Sequence, residues 1–216
     1  MHELDTITIK GFKSITSIEK LKLEPINVII GPNGSGKSNF VGVFSLLNAI
    51  REGRLQDYVS KAGGADKVLH FGSKVTSSID LHIDFVGGVN QYAISLRAGE
   101  PDRLYPSTEL VAFWDKARYP RPWTDTLVPI GAEAGISNPN ARKTADHVRR
   151  HLSSWRLYHF HDTSASSPMK KTADVNDNHR LRPDASNLAP FLYLLRERHS
   201  ESYGLIRRTV QLVAPF

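Results

Sequence analysis

A chain of 216 residues is long enough for one sizeable domain, or for one lobe of a larger one. Its hydrophobic content of 40% and charged content of 23% are those of a globular protein, and no apolar run approaches the ~20 residues of a membrane span. The absence of cysteine excludes a disulfide framework and a thiolate metal site. Together with an N-terminus that lacks a signal peptide's apolar core, these features predict a cytoplasmic protein with no membrane partner.

The net charge of +6 is unevenly distributed along the chain. Residues 1–139 contain 15 basic and 15 acidic side chains, whereas residues 140–216 contain 13 and 7. Such an excess is compatible with a surface that attracts nucleic acid, and also with solvated helix faces plus one basic loop. The second interpretation is favoured, because no known nucleic-acid module or aromatic interleaving accompanies the charge.

The first fifty residues predict two short strands, a third strand and a helix. Thr6–Ile9 alternates like a strand that Gly11 ends, and Leu21–Leu23 is a second alternating piece. The β-branched run Val28–Ile30 predicts a buried strand, and apolar residues at helical spacing predict a helix from about Ser38 to Arg51. We therefore expect an antiparallel layer beside a nucleotide-binding layer.

A phosphate-binding loop lies between the third strand and the helix. Gly31, Gly36, Lys37 and Ser38 have the spacing G-x-x-x-x-G-K-[ST]. The glycines allow successive backbone N–H groups to point at phosphate oxygens, and the start of the helix adds a positive end to the same anion site. Lys37 is expected to reach the β- and γ-phosphates, and the Ser38 hydroxyl is expected to bind Mg²⁺.

The middle of the chain predicts an antiparallel sheet after an irregular region. Residues 55–74 are interrupted by three glycines and are expected to lack regular structure. Residues 78–85 alternate strictly and, with residues 90–96 beyond a Gly-Gly turn, predict a hairpin. Residues 103–114 predict a third strand of this sheet.

The last hundred residues predict mainly helices and loops. They comprise an extended proline-rich segment (118–140), a basic helix (141–152), a strand (155–160), a long polar loop (163–185), a helix that Ser186 caps and that tolerates Pro190 in its first turn, and a final helix (about 200–213).

These motifs resemble those of a known family. The stretch ITIKGFKSI followed by GPNGSGKSN resembles the start of ABC-type ATPases of the SMC, Rad50 and RecF kind, and more closely the bacterial predicted-ATPase branch of the AAA type (AAA_21). Three later stretches are similar to the same branch: GGADKVLHFG at 63–72, WRLYHFHDTS at 155–164 and DASNLAPFLYLL at 184–195. The resemblance implies an α/β (α+β) P-loop NTPase fold, an ABC-ATPase-like head lobe with an antiparallel β layer, a mixed central sheet and flanking helices.

The resemblance also implies ligands and partners. ATP and Mg²⁺ are the expected cofactors, and the expected partner is a second copy or a complementary C-terminal half, with DNA as a further candidate. Lys13 and Ser14 lie where related ATPases contact the α-phosphate, ribose or base. The residues expected to surround the phosphates are Asn33, Gly34, Ser35, Gly36, Lys37, Ser38 and Asn39.

Two parts of the family pattern are missing from this sequence. ATPases of this kind need an apolar strand that ends in Asp-Glu and a Ser-x-Gly signature loop, and we find neither. The stretch SIDLHIDF is the nearest to the first, but its carboxylates alternate along a predicted half-buried strand. We therefore expect 1–216 to be one N-terminal lobe without its C-terminal lobe, built from a β layer with the phosphate loop and first helix (1–54), a β-rich insertion (55–139) and a basic helical part (140–216).

The sequence His159-Phe160-His161-Asp162 has three interpretations. Two histidines on one strand face could bind zinc, with His179 and Asp177 as further ligands. A histidine could instead pack beneath the sheet while the aspartate caps a turn. The family resemblance suggests a third role, in which His161 or Asp162 senses the γ-phosphate. The structural role is favoured over the zinc site, because polar clusters mark functional sites only in some cases.

Two functions of different classes follow. The first is the ATP-binding half of an SMC/RecF-like ATPase, which hydrolyses ATP only when completed and couples this to DNA-related work. The alternative is a non-hydrolysing nucleotide-binding switch or scaffold, for example beside a nuclease in a phage-defence complex. A small-molecule kinase is disfavoured, because such kinases usually carry an arginine-rich lid.

Overall fold

The computed structural model describes residues 4–158, 160, 164 and 166–214. The chain forms two compact units, which divide between Trp155 and Arg156. Within the described residues, no helix combines the length and apolar character that a membrane crossing needs.

The first unit is built on one six-stranded sheet. Its spatial order is β2-β1-β3-β4-β5-β6, and every neighbouring pair is antiparallel. The mixed central sheet that the family resemblance implies is therefore not found among the described residues. The strands are β1 (Leu4–Phe12), β2 (Ile15–Lys22), β3 (Ser78–Phe85), β4 (Asn90–Gly99), β5 (Arg103–Phe113) and β6 (Trp123–Thr126).

Strand β3 confirms the period-two prediction residue by residue. Every second side chain is buried, and the side chains between them are partly exposed. The buried set is Ile79, Leu81, Ile83 and Phe85. Because β3 is paired on both edges, its apolar face becomes the centre of the core and its polar face stays at the other side of the sheet.

Helices cover the apolar face of this sheet. The first unit contains α1 (Lys37–Arg51), α2 (Leu55–Ala62), α3 (Ala65–Val68) and α4 (Lys143–Ser154). Helix α1 buries Val43, Leu46, Leu47 and Ile50 completely in the shared core. Each such side chain contributes about 1.5–3 kcal/mol relative to its exposed state. The helices predicted from residue 38 and from residue 141 are thereby confirmed.

The expectation of an irregular region at residues 55–74 was wrong, because that region contains α2 and α3. The start of α2 has no local cap, and the carboxylate of Glu133 supplies one from a distant loop. The Leu55 N–H donates to Glu133 Oε2 at 2.7 Å and the Gln56 N–H to Oε1 at 3.1 Å. Since the capping residue lies 78 positions away in sequence, no local pattern could reveal it.

The expectation of a buried strand at Val28–Ile30 was also wrong. These residues belong to no strand, and Val28 and Ile30 are 77% and 88% exposed. An extended segment becomes a strand only beside another strand that accepts its hydrogen bonds, and no described segment lies beside this one as a ladder partner. The local β-branched composition was therefore not sufficient.

Two smaller expectations also need correction. Gly11 does not end β1, which continues to Phe12 because that fully buried residue pairs with Ile15. The described part of the predicted 155–160 strand, Trp155–Tyr158 and Phe160, is not a strand either.

The second unit contains α5 (Leu188–Arg198) and α6 (Ser200–Val213), close to the predicted bounds. Pro190 lies in the first turn of α5 as expected, but Asn187 and not Ser186 is the N-cap. Asn187 is fully buried because its amide organises the preceding loop. It accepts from the Arg182 N–H at 2.8 Å and donates to the Arg180 carbonyl at 2.8 Å.

A buried carboxylate joins the sheet to the loop before α4. Glu109 of β5 accepts hydrogen bonds from the Tyr92 hydroxyl and from the backbone N–H groups of Gly135 and Ile136. Burial raises the pKa of Glu109 even though these three donors lower it. The folded protein therefore retains a proton on Glu109 at pH values where the unfolded chain has lost it.

Replacing the remote cap should destabilise the first unit. We expect Glu133→Ala to lower the free energy of unfolding by about 1–2 kcal/mol, because two N–H groups at the start of α2 lose their acceptor. Glu133→Gln keeps one acceptor oxygen and should lose less. Urea titration followed by circular dichroism measures both, and equal stability of Glu133→Ala and wild type would contradict the capping role.

The raised pKa of Glu109 predicts a pH dependence of stability. Because the ordinary pKa of 4.5 applies to the unfolded chain, the stabilising effect of protonation is complete below pH 4.5 and is lost as the pH rises through the folded pKa. Against Glu109→Gln, which does not titrate, wild type should therefore lose unfolding free energy as the pH rises over this window. A relative gain over the same window would show that the pKa is lowered instead.

Candidate nucleotide-binding site

The phosphate loop reaches α1 through two residues with left-handed backbones. Gly34 has φ of 85° and Gly36, the N-cap of α1, has φ of 91°. No described side chain caps α1, so its first N–H groups face outward without an internal acceptor. With the positive end of the helix dipole, this arrangement suits a phosphate group.

Lys37 and Ser38 lie on the first turn of α1. The Lys37 ammonium donates to the carbonyl oxygens of Gly31 and Pro32, at 2.8 and 2.7 Å. These contacts keep the ammonium folded over the loop that it is expected to serve. The Ser38 hydroxyl is on an exposed residue of the same turn, where a divalent cation bound to phosphate could reach it.

A turn from the antiparallel layer lies against the phosphate loop. The Asn39 amide donates to Ser14 Oγ at 2.7 Å. A Cβ atom at Gly36 would lie 2.8 Å from the same oxygen. The structure thus brings Ser14, Gly36 and Asn39 together, three residues that the sequence assigned separately to one site, and Lys13 precedes them at φ of 48°.

His70 joins this turn to the segment after α3. Its Nδ1 lies 2.7 Å from the Lys13 carbonyl, which can only accept, so Nδ1 carries the proton. In the neutral ring, Nε2 then accepts from the Thr16 hydroxyl at 2.9 Å. The His70 N–H also donates to the Gly11 carbonyl, and the Lys13 N–H donates to the Val68 carbonyl, both at 2.9 Å.

No pattern in the sequence indicates that His70 acts in this way. The stretch 63–72 resembles a family segment, but nothing in it indicates chemistry. A histidine between two apolar residues is a core residue as often as it is a functional one. The two partners of His70, Lys13 and Thr16, are more than fifty positions away in the sequence.

We call the hydrogen-bonded group of His70, Lys13 and Thr16 the His70 clamp. A cavity of about 710 Å³ opens beside the His70 clamp. Asn39 of α1, Lys13 of the turn and Phe71 of the following segment all line it. Behind Lys13, the Tyr58 ring of α2 lies 5.9 Å from the ammonium, and burial raises the pKa of Tyr58 to about 12. Tyr58 is therefore a neutral neighbour of the Lys13 ammonium, and the charged residues that line the cavity are Lys13, Asp66 and Lys67.

The carboxylates of β3 do not belong to this site. Asp80, His82 and Asp84 alternate with the buried residues that face α1, so they lie on the opposite face of the sheet. Although burial raises the pKa of Asp84, hydrogen bonds from His82 and Thr6 lower it overall. β3 is thus a half-buried sheet strand, as predicted, and its Asp residues serve local structure.

The alternatives for residues 159–162 remain predictions. His159, His161 and Asp162 lie outside the described residues, so their roles in zinc binding or γ-phosphate sensing have no structural test. Of the suggested further ligands, Asp177 forms an ion pair with Arg182 at 2.9 Å. Across the residues that the structure describes, no three His, Asp or Glu side chains come together as metal ligands.

Comparison with known families agrees with the geometry of the loop. The sequence model of a family described as "AAA ATPase domain" matches residues 3–177. The chain belongs to the AAA ATPase domain family. The match includes the phosphate loop, the His70 clamp and the whole sheet of the first unit.

Individual proteins match the chain either over a short stretch or at low identity. The chromosome partition protein Smc of Mycobacterium tuberculosis is 37% identical over 84 residues, which are 36% of this chain and 7% of that protein. Smc of Mycobacterium leprae is 38% identical over 63 residues, 26% of this chain and 5% of that protein. Urease accessory protein 2 of Cryptococcus neoformans is 24% identical over 241 residues, 96% of this chain and 19% of that protein.

These figures limit what the likeness conveys. The chain spans less than a tenth of the length of the Smc proteins that it matches. Sequence similarity to Smc therefore supports an ATP-binding, SMC-like ATPase domain, and it does not assign the function of the whole Smc protein to this chain.

The loop geometry predicts different costs at its two left-handed glycines. Both Gly34→Ala and Gly36→Ala should cost about 1–2 kcal/mol of stability, because an L-residue is strained at these φ angles. Gly36→Ala should cost more and should weaken nucleotide binding more, since its Cβ meets Ser14 whereas nothing lies within 4 Å at Gly34. Thermal unfolding and ATP titration of the pair test this, and equal losses at both positions would contradict it.

Proposed function

We propose that this chain is the ATP-binding half of an SMC- and RecF-like ATPase. Asn33 to Asn39 surround the triphosphate, Ser38 binds Mg²⁺, and Lys13 and Ser14 contact the rest of the nucleotide. The assignments to an ABC-type head lobe and to the AAA_21 branch belong to this proposal and are supported by the family-like stretches of the sequence.

The observation that carries the proposal is the geometry at the start of α1. Two left-handed glycines, an uncapped helix N-terminus and a lysine on the first turn form one anion site, and Ser14 is hydrogen-bonded to the same turn. Oxygen ligands suit Mg²⁺, which uses few protein groups when phosphates supply the others. Bound Mg²⁺ would neutralise phosphate charge, and the Ser38 hydroxyl is the group of this chain that fits it.

Completion by a further protein segment accounts for the exposed apolar run. Ile26, Val28 and Ile30 are 84%, 77% and 88% exposed, and unpaired backbone in an extended segment is a template for another strand. The run leads directly into the phosphate loop. A second lobe that pairs with it would bury these side chains and would place its own carboxylate near the γ-phosphate.

Hydrolysis is assigned to the completed protein for a chemical reason. Transfer of a phosphoryl group to water needs a residue that orients the attacking water, in addition to a phosphate clamp. The Asp residues of β3 face away from the loop, and the sequence contains no Asp-Glu pair. Coupling to a DNA-related task is the part of the proposal that the likeness to Smc motivates.

Removing the lysine of the loop tests nucleotide binding. We expect Lys37→Ala to weaken ATP binding at least tenfold, roughly the effect of losing a charge-assisted hydrogen bond. Isothermal titration calorimetry with Mg-ATP measures the affinity. The matched control is Lys143→Ala, an exposed lysine at the start of α4, which should bind ATP like wild type.

The same samples separate the two function classes. Unchanged ATP binding by Lys37→Ala would contradict the phosphate-loop assignment. Turnover by this chain alone, abolished by Lys37→Ala, would show that the chain has its own water-orienting group. ATP binding without turnover, both alone and beside any completing lobe, would favour the non-hydrolysing switch.

A further inference from the structure

Phe71 combines two features that are unfavourable in a folded protein. Its side chain is 80% exposed, and its backbone has φ of 56°, a conformation that bulky L-residues rarely adopt. An exposed ring gains little from the hydrophobic effect, and a left-handed backbone costs free energy. Strained residues of this kind persist where the surrounding structure over-determines them, and they concentrate at ligand sites.

Contacts on both sides of Phe71 hold its segment in this conformation. His70, whose backbone and ring hold the Lys13 turn, contacts the Phe71 ring edge-on at 4.4 Å between centroids. On the other side, the Ser73 N–H donates to Asp66 Oδ1 at 2.8 Å, which ties the segment to α3. The ring therefore contacts His70 on one side, the backbone after it is tied to α3, and most of the ring surface faces outward.

The cavity that Phe71 lines reaches the first turn of α1, which follows the phosphate loop. It extends from Phe71 past Lys13 to Asn39, which follows Lys37 and Ser38 on the first turn of α1. Its volume of about 710 Å³ lies within the range of ordinary small-molecule sites. A triphosphate bound by Lys37 and Ser38 would leave its nucleoside outside the loop, and this cavity includes Asn39, the residue after Ser38.

A second cavity of about 780 Å³ borders the loop but suits a nucleoside less well. Its wall consists largely of the unpaired run Ile26–Ile30 and the apolar side chains of β2. Its one ring, Phe40, is partly buried against the core and packs on Phe44 at 5.8 Å. Both cavities contain lysines, Lys13 and Lys67 in the first and Lys22 and Lys37 in the second, but only the first also offers an exposed ring, that of Phe71.

We propose that Phe71 is the stacking platform for the nucleobase of the bound nucleotide, and that the Lys13–Phe71 cavity is the base subsite. Bases and aromatic rings stack through their π-faces with little dependence on base identity. This inference rests on the proposed nucleotide-binding function, because the subsite is useful only if the loop binds the phosphates.

The test compares Mg-ATP with Mg-tripolyphosphate, which presents the phosphates without a nucleoside. Wild type should bind ATP about tenfold more tightly than tripolyphosphate, in line with the typical contribution of one base–aromatic stack. Phe71→Ala should lose most of this preference, with unchanged tripolyphosphate affinity, and Phe71→Trp should restore it. Trp123→Ala, which removes another exposed aromatic side chain outside the cavity, should behave like wild type.

The outcomes distinguish this inference from the proposed function. Binding of neither ligand by wild type would overturn the proposed function itself. Equal binding of both ligands by wild type, or a Phe71→Ala variant that keeps the preference for ATP, would overturn the base subsite and leave the phosphate loop intact. Loss of both ligands in Phe71→Ala with an unchanged melting temperature would also overturn it, because the ring would then serve the phosphate loop.

Discussion

The burial of one face of α1 is the constraint on which the phosphate loop depends. Val43, Leu46, Leu47 and Ile50 are completely buried against the antiparallel sheet, and they position the start of the helix. On its other side the loop follows an apolar run that has no ladder partner among the described residues. The anion site is thus anchored through α1, and the core of the first unit determines where its N–H groups point.

A second set of contacts places further residues beside the start of α1. His70 bonds to the carbonyl of Lys13 and to Thr16, and backbone hydrogen bonds pair Gly11 and Lys13 with the segment after α3. The result is that Ser14 contacts the phosphate loop while Phe71 is presented to the neighbouring cavity. With Nδ1 donating to the Lys13 carbonyl and Nε2 accepting from the Thr16 hydroxyl, both ring nitrogens of His70 have a partner.

The two sides of the phosphate loop differ in chemical character. One side has an exposed ring with charged groups, which suits a nucleoside, and the other has exposed β-branched side chains, which suit another strand. This asymmetry agrees with a lobe that binds its nucleotide with its own residues and obtains its hydrolytic group from elsewhere.

Local patterns revealed the loop, α1, β3 and the β3–β4 hairpin, because their determinants lie within a few residues of one another. They could not reveal α2, whose cap Glu133 is 78 positions away, or the roles of His70 and Phe71, which depend on a turn more than fifty positions earlier. They also predicted a strand at Val28–Ile30, which needs a neighbour that composition does not supply. The sequence by itself determined the phosphate-binding loop, since the spacing of Gly31, Gly36, Lys37 and Ser38 is a local property. Only the tertiary structure decided which residues lie around that loop, because the contacts that place them there join segments that are distant along the chain.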